Sequence, residues 1–71
     1  MLVDARGLHC PMPLVRARAA LASAAAGEPV VVLATDAEAP IDLAALAFET
    51  GRAFACERDG DTWRLTLAAQ Q

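Results

Sequence analysis

Cys10 is followed by prolines at alternate positions, Pro11 and Pro13, with Met12 between them. Arg6-Gly7-Leu8-His9 precedes it. Proline is favoured at the first position of a helix, where its missing N–H has no partner to lose. Pro13 still falls within the first turn, among the unpaired donors of a helix start. The spacing predicts a helix from Pro11, with Cys10 at its N-cap. The positive end of the helix dipole then faces the sulfur. A thiol held there shifts toward thiolate, the form that attacks other sulfur atoms. Met12 keeps the backbone N–H that Pro11 and Pro13 lack, so it is the donor expected to reach the sulfur.

The elements that must position this thiol can be read from pattern. Leu2–Ala5 is expected as a short strand, and Arg6–His9 as a connector in which Gly7 supplies the turn. The first helix is expected over 11–26, with Leu14, Ala17, Leu21 and Ala24 on one stripe and Gly27 ending it. Val30–Thr35 is the clearest strand, rich in β-branched residues. Asp36 can cap a second helix whose main body runs from about Ile41 to Thr50. Ala53–Arg58 and Thr62–Ala68 read as strands joined by a hairpin at Asp59-Gly60. The tail 69–71 is expected to fray. The order is βαβαββ, an α+β two-layer sandwich with both helices on one face of a four-stranded mixed sheet. Neither repeat nor linker divides it, so residues 1–71 are expected to form one domain.

Composition removes several function classes. The chain has 71 residues, 56% hydrophobic, but eighteen are alanine, so bulky core formers are fewer than that figure suggests. Nine acidic residues against six basic ones, all arginine, give a net charge of −3. That balance argues against direct nucleic-acid binding, which rests on neutralising phosphates. No apolar run reaches the length of a membrane span, and the start shows no basic and then apolar leader. Two cysteines do not make a disulfide scaffold, which suits a cytoplasmic protein with reduced thiols. So short a chain leaves little room for a concave substrate pocket.

The run Asp4-Ala5-Arg6-Gly7-Leu8-His9-Cys10-Pro11-Met12-Pro13 resembles the signature of the TusA, or SirA-like, sulfur-carrier family, Asp-x-x-Gly-Leu-x-Cys-Pro-x-Pro. The resemblance extends over nearly the whole chain: Ala34-Thr35-Asp36 closes the second strand and Thr50-Gly51 closes the second helix as in that family. It implies that Cys10 carries sulfur as a persulfide. A cysteine desulfurase or rhodanese would load it, and an acceptor protein would remove the sulfur. Gly7, Pro11, Met12 and Pro13 support the motif, and no metal or organic cofactor is required. The family topology separates Cys56 from Cys10, so no disulfide between them is expected.

The chain also departs from the family pattern. Asp42-Leu43-Ala44 stands where the family usually has Asp-Ile-Pro, and Ala47 where a second cysteine is common. Lysine is absent. The outer side of the second helix carries Ile41 and Phe48 in place of polar or basic residues. Leu43, Leu46, Ala47 and Thr50 share one face of that helix, whereas Ile41, Ala45 and Phe48 share another. A helix apolar on two sides is buried on both or binds something, so Ile41 and Phe48 are candidates for partner docking or weak self-association.

Every other candidate has a plainer reading beside it. Arg6 is a candidate docking contact or a source of positive potential near the thiolate; the alternative is an ordinary solvated arginine. Arg16 and Arg18 could guide an acidic partner, with solvated charge as the default. His9 could tune the thiol, but an exposed loop residue is the simpler reading. Cys56, in a strand, is expected to be a packing residue. His9, Cys10 and Cys56 match no zinc-ligand spacing. Trp63 reads as core or sheet face, and the acidic run 57–61 as a soluble hairpin. A redox role is disfavoured because no Cys-x-x-Cys pair is present. The remaining alternative is an interaction or regulatory module that keeps the fold without carrying sulfur.

Overall fold

The computed structural model describes residues 1–25 and 27–69. The elements are β1 (Leu2–Ala5), α1 (Met12–Ser23), β2 (Val30–Ala34), α2 (Ala39–Glu49), β3 (Phe54–Asp59) and β4 (Thr62–Leu67). The βαβαββ order is as expected. The four strands form one mixed sheet in the order β1-β2-β4-β3. β1 runs parallel to β2, in register from Leu2 opposite Val31 to Ala5 opposite Ala34. β4 lies antiparallel to β2 on one side and to β3 on the other.

Strand periodicity separates the two faces of the sheet. Val30, Val32 and Ala34 are buried, as are Leu65 and Leu67, which pair with Val32 and Val30. Val31, Leu33 and Thr66, on the alternate positions, are only half-buried, and Arg64 is exposed. α1 and α2 close the dry side. α1 contributes Pro13, Ala17 and Ala20, with Leu14, Leu21 and Ala24 packed at the margin. α2 contributes Ala39, Leu43, Leu46 and Ala47. Alanines on both helices let their axes come close to the sheet, so a short chain can still exclude water from one layer. The stripe expected for α1 is therefore correct in direction, with Ala20 and Pro13 sunk deeper than Leu14.

Element ends differ by small amounts. α1 starts at Met12 rather than Pro11 and ends at Ser23, with Ala24 as its C-cap. The last residue of the expected helix, position 26, lies outside the described residues, as do positions 70 and 71 of the tail. α2 begins at Ala39, earlier than Ile41, because Pro40 sits in the first turn, where its missing N–H costs nothing. The hairpin loop is Gly60-Asp61, with Asp59 paired to Thr62. Gly60 takes φ 62°, the left-handed backbone that a two-residue hairpin demands at this point.

Cys56 overturns its expected packing role, for it is exposed. It stands opposite Leu65, which is fully buried, and so points to the same side of the sheet. The difference is position in the sheet. β3 is an edge strand, and beyond Phe54 every residue of it is exposed, because the helical layer does not reach that far. The edge carries Glu57, Arg58 and Asp59, charges that discourage pairing with another chain. Trp63 is half-buried against the core, and the Arg58 guanidinium lies 4.9 Å above its ring.

Candidate functional site

β1 and β2 are parallel, so the loops that follow them leave the same end of the sheet. Cys10 lies in the first of these loops and Asp36 in the second. Two hydrogen bonds tie the loops together. The Gly7 N–H donates to Thr35 Oγ1 at 3.0 Å. The Cys10 N–H donates to Asp36 Oδ2 at 2.6 Å. Gly7 has φ 81°, which turns the chain out of β1, and the Leu8 N–H closes that turn on the Ala5 carbonyl. Asp36 also accepts the Glu38 N–H on its other oxygen at 2.9 Å, so one carboxylate fixes Cys10 and the start of α2 together. These two donors hold the Asp36 carboxyl below its usual range.

The sulfur itself meets α2. The Cys10 thiol donates to Asp42 Oδ2 at 3.1 Å, and Asp42 lies in the first turn of α2. Cys10 is exposed, and Asp42 is half-buried. The Cys10 pKa is pushed up to about 11, first by this hydrogen bond, which favours the protonated sulfur. Partial loss of hydration and the Asp42 charge add to it, followed by a hydrogen bond and charge from Glu38.

This geometry corrects the expected activation by the α1 dipole. The N-cap of α1 is Pro11, with φ −97° and ψ 15°, and no side chain caps the helix. The Cys10–Pro11 peptide bond is cis. The Met12 N–H donates to the His9 carbonyl at 2.8 Å, so it closes a turn and is not the donor to sulfur. Cys10 thus stands one residue outside the cap, and its sulfur faces two acidic side chains. The hydrogen bond to Asp42 favours the protonated sulfur, and the shift is upward instead of downward.

The other sequence candidates distribute themselves around this centre. Pro13 is buried in the core, whereas Pro11 and Met12 are exposed beside Cys10. Arg6 is bound to Asp4 by three hydrogen bonds, from its guanidinium Nε at 2.9 Å and Nη2 at 2.8 Å and from its backbone N–H at 3.1 Å. Its guanidinium is thereby spent on Asp4 and not on the sulfur, and it draws the Asp4 pKa down from 3.8 to about 2. Arg18 pairs with Glu49 of α2 at 3.3 Å. Ile41 is 71% exposed and Phe48 87%, with Ala45 exposed between them, while Leu43, Leu46 and Ala47 are buried. The two-faced reading of α2 holds.

Sequence reasoning missed Asp42 and Asp36 as neighbours of Cys10, taking one as a helix start and the other as a cap. The available signal was topological. Once Leu2–Ala5 and Val30–Ala34 are laid parallel, the loops after them must converge.

The family model "Sulfurtransferase TusA" matches residues 1–68. A Neisseria meningitidis serogroup A protein named "Putative sulfur carrier protein" is 45% identical over 60 residues, 82% of this chain and 81% of its own length. The "Sulfur carrier protein TusA" of Allochromatium vinosum is 41% identical over 49 residues, 69% of this chain and 64% of its own. The crystal structure of a SirA-like protein from Desulfitobacterium hafniense superposes with a TM-score of 0.86 at 32% identity, covering 99% of this chain and 97% of that one. A motif, a family model over residues 1–68, a matching fold and relatives that agree over most of the chain leave one conclusion: this chain belongs to the TusA family of sulfur carriers.

Proposed function

We propose that this protein accepts sulfur on Cys10 as a persulfide and passes it to an acceptor protein. The observation that supports this most directly is the placement of Cys10: an exposed thiol fixed through its backbone N–H to Asp36, at the end of the sheet where the two crossover loops meet. A carrier needs its sulfur open to two partners in turn, and no pocket need enclose it. Loading joins the Cys10 sulfur to the outer sulfur of a donor persulfide and breaks the donor's S–S bond. Unloading repeats the exchange with the acceptor. A cysteine desulfurase or rhodanese is the donor class we assign, as the family resemblance implies. The single-domain organisation over 1–71 and a cytoplasmic setting, where both cysteines stay reduced, accompany this reading.

Partner docking is assigned to the apolar stripe Ile41-Ala45-Phe48. Burying a large apolar side chain contributes about 1.5–3 kcal/mol, which a docking protein gains and an isolated chain does not. Among the exposed large hydrophobic residues, Met12 lies beside Cys10 in the motif itself, so a partner at the sulfur also covers apolar surface.

Incubation with a cysteine desulfurase and cysteine tests the assignment. The wild type and Cys56→Ser should each gain one sulfur, about 32 mass units, and Cys10→Ser should gain none. Loading that persists in Cys10→Ser, or that requires Cys56, contradicts it.

A further inference from the structure

We propose that Asp42 is the proton acceptor for sulfur loading at Cys10 and returns that proton to the departing donor thiol. The inference rests on the carrier reading given above and adds a second catalytic residue to it.

Geometry comes first. The thiol donates directly to Asp42 Oδ2 at 3.1 Å, within the reach required of a general base. A carboxylate only accepts, so the proton in this contact belongs to sulfur, and Asp42 holds the site to which it can move. Of the other groups near the sulfur, Glu38 also bonds the thiol, but it acts on it less strongly than Asp42 does. Asp36 is engaged by the Cys10 and Glu38 N–H groups. Glu38 adds negative charge, and His9 acts on Asp36. Arg6 is held by Asp4. Among the described residues no cation is therefore aimed at the sulfur to support a standing thiolate, and the high pKa of Cys10 agrees with that arrangement. A route that waits for free thiolate finds very little of it at neutral pH. A route that moves the proton to Asp42 while the new S–S bond forms avoids that scarcity.

The step balances. The Cys10 S–H bond breaks and its proton goes to Asp42. The sulfur electron pair forms a bond to the outer sulfur of the donor persulfide, R–S–SH. The donor S–S bond breaks and its electrons leave on R–S⁻. Asp42 then gives its proton to R–S⁻. The net change is Cys10–SH plus R–S–SH giving Cys10–S–SH plus R–SH, with no outside oxidant or reductant.

Glutathione persulfide, used as the donor, removes protein docking from the measurement. Loading of wild type, Asp42→Asn, Asp42→Glu and Cys10→Ser, each on a Cys56→Ser background, is followed by mass at pH 7, beside alkylation by iodoacetamide. Iodide leaves without a proton, so alkylation reports ionised sulfur alone. Asp42→Asn should alkylate faster, because a negative neighbour is gone, yet load at least about tenfold more slowly, because the acceptor is gone. Asp42→Glu should restore part of the loading. If Asp42→Asn speeds both reactions, Asp42 only masks the thiol and the proposal fails while the carrier reading stands. If the wild type loads no better than Cys10→Ser, the carrier reading itself fails. The wild-type site supplies a check that needs no Asp42 variant: loading should slow in D₂O by more than alkylation of the same thiol does, and equal slowing overturns the proposal.

Discussion

The Cys10 N–H and Asp36 Oδ2 stand 2.6 Å apart across 26 residues of sequence. This bond fixes the loop that carries the sulfur to the loop that starts α2. Asp36→Ala should loosen the first loop without melting the sheet. Hydrogen exchange at the Cys10 amide should quicken by roughly tenfold, while the Met12 amide, bonded to the His9 carbonyl, keeps its rate. Equal rates at Cys10 in the wild type and the variant would show that the bond does not order the loop.

The thiol titration has a defined sign. On Cys56→Ser, alkylation rate against pH should show a midpoint near 11, well above the ordinary value of 9.0. The folded state holds this proton more tightly than the unfolded state does. Its contribution to stability is therefore complete below about pH 9 and is lost as pH rises from 9.0 through about 11. A midpoint at or below the ordinary value would mean that the helix end dominates after all.

Asp4 titrates with the opposite sense. Its pKa of about 2 reflects the hydrogen bonds from Arg6, so its stabilising share is present above 3.8 and is lost as pH falls from there through 2. Arg6→Gln should return the Asp4 carboxyl toward 3.8, read by NMR titration. No movement would mean that the pair seen here does not persist in solution.

The two faces of α2 should answer differently to truncation. Leu43→Ala, at a fully buried site, should cost about 2–5 kcal/mol of stability. Phe48→Arg should change stability by less than about 1 kcal/mol, because Phe48 already faces water, and should weaken association with a donor, an acceptor or a second copy. Denaturant melts and sedimentation decide between these outcomes. A large stability loss at Phe48 with unchanged association would remove the docking assignment.

Much of this arrangement was legible in the residues, and the exceptions have physical causes. The triple valine of β2, the prolines near both helix starts and Gly60 are local signals, and each marks its element within a residue or two. The opposite faces of α2 follow from helical spacing. What misled was the sulfur's surroundings. Local reasoning placed Cys10 on the axis of α1, but its environment is set by Asp36 and Asp42, 26 and 32 residues away. Cys56 misled for a related reason: a strand pattern gives the side of the sheet but not whether a helix covers that stretch.

Both bonds that define the sulfur's setting span the β1–β2 pairing, so neither exists until those strands have come together. Chain expansion should return Cys10 to an ordinary thiol, with a pKa near 9.0. Unfolding would then raise the reactivity of this cysteine at neutral pH even though it is exposed in both states. A thiol probe applied in brief pulses during refolding would follow the moment at which the two loops lock, with slowing of the reaction as its signal.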